Sequence, residues 1–99
     1  MTVPTGLVLY LPAVAAAEAQ TVYPDNERLG RLLRHPSVVL AELSRTDASK
    51  VARLLAEAKV WDGCAGNVIL VARQRGWPVL TTDPGRLQRI APDLDVDLL

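Results

Sequence analysis

A chain of 99 residues is expected to form one domain, residues 1–99, with one modest core. Apolar residues make up 49% and Phe is absent, so the core must be Leu, Val and Ala, a content that argues against disorder. Eleven basic and eleven acidic residues cancel, which gives no global basic signature for nucleic acid and leaves only a local basic face open. A single cysteine, Cys64, cannot close an internal disulfide, which fits a reducing, cytoplasmic setting. Its expected role is that of a small apolar helix residue.

The run from Leu7 to Ala17, followed by Ala-Glu-Ala-Gln, faintly resembles a secretory leader. It lacks a basic start, Pro12 splits it, and it is too short to span a bilayer. It reads better as a buried strand turning into a helix. Gly6 to Leu11 is apolar on both parities, as a strand covered on both faces would be. Pro12 suits the first turn of a helix over Ala13 to Gln20, which is alanine-rich. Glu18 is the single charge in that stretch. It is either an exposed helix residue or a carboxylate held at the strand-end crevice to meet a cation.

Asp25 or Asn26 is placed to cap a helix ending near Arg34. Leu29, Leu32 and Leu33 form its apolar stripe, and Arg28, Arg31 and Arg34 form a solvated row on the other side. His35, the only histidine, is explained by its place at a helix C-terminus. Val38 to Leu43 reads as a second strand, and a helix starting at Thr46 or Asp47 buries Val51, Leu54, Leu55 and Ala58. Asp62 caps the next helix, which buries Val68, Leu70, Val71 and Ala72 and ends at Gly76.

The stretch Arg73-Gln-Arg-Gly-Trp-Pro-Val-Leu-Thr-Thr-Asp83-Pro-Gly-Arg-Leu carries the chemistry. A helix stops at Gly76, a strand runs from Val79 to Thr81, and Asp83 stands just past its end. In an open parallel sheet that edge is where ligands and catalytic groups collect. A carboxylate there is a metal-ligand candidate, and Arg73, Arg75, Arg86 and Arg89 flank it as candidate phosphate contacts. A turn or short helix at Pro84 to Arg89 follows, and Asp93 to Leu99 alternates as an edge strand whose aspartates face solvent. Strands separated by helical segments make an α/β layered fold. Each acid alone reads as a cap or surface charge, and a plain α/β interaction domain accounts for all of them.

Taken together, Arg-Gly-Trp-Pro-Val-Leu-Thr-Thr-Asp-Pro and the closing Pro-Asp-Leu-Asp-Val-Asp-Leu-Leu resemble the C-terminal half of a PIN domain. The kin are VapC-like ribonuclease toxins of toxin–antitoxin pairs. The opening Leu-Val-Leu-Tyr-Leu-Pro-Ala-Val-Ala-Ala-Ala-Glu-Ala is similar to that family's second strand and acid-bearing helix. The resemblance implies a three-layer α/β sandwich with a small, mostly parallel sheet. It also implies a Mg²⁺- or Mn²⁺-dependent ribonuclease in which the metal activates water against a phosphodiester. By position it assigns Glu18, Asp62 and Asp83 as catalytic and metal-binding acids, with Thr81 and Arg86 positioning substrate.

The chain departs from the family at its front, where no acidic residue lies between Met1 and Ala17. The family's first strand, its helix and the first metal-ligand aspartate are therefore missing. The alternative reading follows: a catalytically inactive PIN-like module for protein interaction or regulation. The gap left by a central strand leaves three consequences open: direct pairing of the remaining strands in a reduced sheet, two chains that each supply what the other lacks, or a fragment whose natural start lies upstream. Exposed central strand edges invite association, so a homodimer is expected. RNA and an antitoxin-like protein are the partners the resemblance implies, and no membrane is expected.

Overall fold

The computed structural model describes residues 8–98, so Gly6 and Leu7, expected at the start of the first strand, lie outside the described residues. Strand β1 covers Leu9–Pro12 and passes directly into helix α1, Ala13–Val22. Helix α2, Glu27–Arg34, and strand β2, Val38–Ala41, follow. Then come helices α3, Arg45–Ala58, and α4, Gly63–Arg75, strand β3, Val79–Thr81, the short helix α5, Pro84–Gln88, and strand β4, Val96–Leu98. The chain is an α/β domain.

Local chemistry sets most boundaries. The Asn26 side chain accepts from the Leu29 amide and starts α2. Helix α3 starts earlier than expected, capped by Ser44. Its hydroxyl accepts from the Asp47 amide while the Asp47 carboxylate accepts from the Ser44 amide. Asp47 is thus the third residue of the helix rather than its start. Gly76 closes α4 at φ 67°, in the left-handed region where a side chain is costly.

The strands do not form one sheet. β1 pairs in parallel with β2, Leu9 opposite Val38 through Pro12 opposite Ala41. β3 pairs in parallel with β4, Val79 opposite Val96 through Thr81 opposite Leu98. No ladder joins β1 to β3 among the described residues. Helix α4 packs against both strands and floors the space between them. The expected small parallel sheet is therefore split into two halves.

The core lies on one side of that split. Ala65 and Ile69 of α4 pack with Leu87, Ile90 and Ala91, and Leu54, Leu55, Val79 and Val96 close around them. Helices α3 and α4 approach closely at Gly66, where an added Cβ would sit 2.9 Å from Val51 Cγ1. The deepest face of α4 is Ala65, Gly66, Asn67, Ile69 and Ala72. Val68, Leu70 and Val71, expected to be buried with Ala72, are only half-buried; Val68 and Val71 turn toward the open side. Asn67 is the one buried polar residue given for the described chain, and its Oδ1 accepts from the Val14 amide at 3.2 Å. That bond satisfies a donor that α1 cannot satisfy itself, since its N-cap is Pro12.

Candidate acidic site

Glu18 projects from α1 and is partly exposed. Asp62 and Asp83 occupy the N-caps of α4 and α5. Asp62 Oδ1 accepts from the Ala65 amide at 3.1 Å, and Asp83 Oδ1 accepts from the Arg86 amide at 3.3 Å. Thr81 Oγ1 accepts from the Asp83 amide at 3.1 Å, so it holds the turn that presents Asp83. Thr81, expected to position substrate, keeps its O–H donor while its oxygen accepts this bond.

Arg86 is the centre of the arrangement. Its Nε donates to Asp62 Oδ2 at 2.6 Å and its Nη2 to Asp62 Oδ1 at 2.8 Å. Nη2 also donates to Glu18 Oε1 at 2.9 Å, and Nη1 to Glu18 Oε2 at 3.0 Å. One guanidinium therefore grips two carboxylates, each bidentately, which is the geometry arginine supports and lysine does not. The grip holds the Glu18 and Asp62 carboxyls below their ordinary values, through the hydrogen bonds from Arg86 first in each case. The same bonds, to Asp62 first and then Glu18, push the Arg86 guanidinium further up. Beside them the Cys64 thiol is pushed up to about 11, by burial first and then by the neighbouring Glu18 charge. It is a neutral thiol at ordinary pH.

Helix geometry brings Glu18 and Asp62 together through Arg86. Asp83 borders the same groove, but its recorded bond goes to the Arg86 amide, not to the guanidinium. Among the described residues no group of three or more His, Cys, Asp or Glu is placed to hold a metal ion. All four oxygens of Glu18 and Asp62 accept from Arg86. A hard cation such as Mg²⁺ or Mn²⁺ takes carboxylate oxygens as ligands; here a guanidinium occupies the space between the two acids.

The other arginines that flank Asp83 in sequence have contacts of their own. Arg73 pairs with Asp93 at 3.3 Å, Arg75 lies 4.1 Å over the Tyr10 ring, and Arg89 Nε donates to the Gly85 carbonyl.

The second feature of the site is an open, mostly apolar groove of about 1010 Å³ between the two half-sheets. β1 lines one wall and β3 with the following turn lines the other, and Glu18, Asp83 and Arg86 stand at one end. Tyr10 meets Trp77 edge-on at 5.1 Å near the other end. The sequence marked each wall as a strand; the apolar runs by themselves do not state that the two stand apart. Among the described residues no helix is long and apolar enough to cross a membrane. No family model matches the chain, and neither does any curated protein or solved structure.

Proposed function

We propose that this chain is a PIN-like protein-interaction module without catalytic activity, its acid pair held closed by an internal arginine. The fold this implies is a three-layer α/β sandwich with a small, mostly parallel sheet. The observation that carries the reading is the double bidentate grip of Arg86 on Glu18 and Asp62. One guanidinium offsets half of the pair's charge and occupies the space between the two acids, and no acidic residue lies between Met1 and Ala17. What is left for a partner is the apolar groove.

A second reading is the Mg²⁺- or Mn²⁺-dependent ribonuclease of toxin–antitoxin type. One observation favours it: Glu18 and Asp62, from distant parts of the chain, meet at the mouth of a groove beside Asp83. Melting curves with and without millimolar Mn²⁺, on the wild type and on Asp83→Asn, separate the two. A ion bound only by the native state raises the melting temperature by mass action. The interaction module shows no Mn²⁺-dependent rise and no cleavage of single-stranded RNA. A rise that vanishes in Asp83→Asn, together with cleavage, overturns it in favour of the nuclease.

A further inference from the structure

We propose that the groove between β1 and β3 is a strand-docking site for an extended apolar segment of another polypeptide. The inserted strand runs parallel to both walls, with an acidic residue at its leading end and a basic residue at its trailing end. This site rests on the interaction-module reading.

The backbone argues for a strand. Leu9 N–H donates to the Ser37 carbonyl beside β2, and Val79 N–H donates to the Asp95 carbonyl beside β4. Along a strand these groups alternate between the two edges. The N–H and C=O of Tyr10 and of Leu80 therefore point the other way, into the groove. Among the described residues no ladder covers either edge; such edges are templates for another chain, and two of them face one space. The contacts at the two ends give the direction. Tyr10 and Trp77 meet near the starts of the two strands, and Glu18 and Arg86 meet beyond their finishes. β1 and β3 thus run the same way, and one parallel strand can bond to both.

The walls argue for apolar side chains. Val68 and Val71 of α4 floor the groove, and Val8, Leu11 and Leu80 line its sides. Val8 and Leu80 are 47% and 49% exposed, as unpartnered apolar residues are. β1 has four residues and β3 three, so the matching segment is about as long.

Charge argues for the partner and against a second copy. Arg75 lies at the leading end of the groove, while Glu18 and Asp83 with one arginine, Arg86, leave the trailing end acidic. The chain's own strand segments do not supply that pattern. β2 is followed by Glu42, β3 by Asp83, and β4 holds Asp97, while β1 and its flanks carry no charge before Glu18. Inserted in parallel, β2, β3 or β4 of a second copy would set carboxylate against carboxylate, and β1 would bring neither the acid nor the base.

The test uses Trp61→Phe, which removes a fully exposed indole and leaves Trp77, on the groove wall, as the sole tryptophan reporter. The probe is the peptide acetyl-Glu-Val-Ile-Val-Val-Lys-amide, compared with its charge-swapped form, acetyl-Lys-Val-Ile-Val-Val-Glu-amide. A third form is N-methylated at the central residues, which removes backbone donors without changing side chains. The expected result is a saturable change in Trp77 emission, at least tenfold weaker for the swapped and methylated peptides. Leu80→Pro, which keeps the β3 bonds to β4 and deletes a donor facing the groove, weakens binding by a similar factor. Equal binding of all three peptides overturns the site as mere apolar adsorption. No binding also overturns it, and leaves the Mn²⁺ melting result, which decides the module reading, standing by itself. Sedimentation showing a stable dimer that the peptide cannot dissociate overturns it in favour of a second copy.

Discussion

The two halves of this molecule differ in how they are held. Around β3 and β4, helices α4 and α5 close a core in which Ile69 is fully buried and Ala65, Leu87 and Ala91 nearly so. Around β1 and β2, helix α2 has no buried residue, and Val39 and Leu40 of β2 are exposed. Burial of apolar area is the main favourable contribution to folding. The C-terminal half is therefore the stable body. The N-terminal half is attached to it by α1 against α4, by the Asn67 bond and by the Arg86 grip. An open groove between a firm half and a lightly held half is a surface that can adjust to what enters it.

The largest break in this comparison comes from the firm half. Ile69→Ala leaves a cavity at a fully buried position and costs about 2–5 kcal/mol. Denaturant melts read that loss as a lower midpoint. Because Ile69 sits where α4, α5 and the following turn meet, hydrogen exchange rises throughout α4 and β3. An effect confined to α1 and β2 would reverse the assignment of which half is the body.

Asn67→Ala tests the attachment. The substitution strands the Val14 amide, half-buried at the start of α1, and costs about 1–3 kcal/mol. Exchange is expected to rise most at the start of α1, with the amides of α5 and β4 little changed. A uniform rise across both halves would mean that they unfold as one cooperative unit.

How much of this was legible in the sequence depends on the range of the interaction. The caps at Asn26, Asp62 and Asp83 and the stop at Gly76 are local, and the residue types announce them. The start of α3 is also local, but two capping signals overlap there, and Ser44 wins because Asp47 answers it from inside the helix. The split of the sheet is not local. Each strand reads as an apolar run, and nothing in a run states its neighbour. Asn67 lies in an otherwise apolar helix, and its partner is 53 residues away. Arg86 reads as a neighbour of Asp83, three residues on, yet its side chain goes to Glu18, 68 residues away. Glu18, Asp62 and Asp83 are each legible in the sequence as acids near strand ends or helix starts. Their mutual arrangement, and the cation at its centre, could come only from the tertiary structure.

The smallest effect sharpens the comparison most, because it acts on the contact that joins the halves. In the wild type the Glu18 and Asp62 carboxyls sit below their ordinary values of 4.5 and 3.8. A carboxyl depressed in the folded state contributes stability that is present above its unfolded value and is lost as pH falls through the folded one. The wild-type melting temperature should therefore fall as pH drops below about 4.5, the ordinary value for Glu18. Arg86→Met keeps the length of the side chain and removes the charge. The grip is partly open to water, with Arg86 at 32% and Glu18 at 44% side-chain exposure, so screening limits the loss at neutral pH to about 1 kcal/mol. The acid dependence is the sharper readout, since the interaction that depresses both carboxyls is gone and the drop at low pH should flatten. The Asp47 carboxyl, held low chiefly by Gln74 and by Ser44, is untouched and leaves a residual slope in both proteins. If Arg86→Met keeps the full wild-type acid dependence, the grip does not join the halves in solution. The acid pair would then be free for another cation, and the nuclease reading would regain its ground.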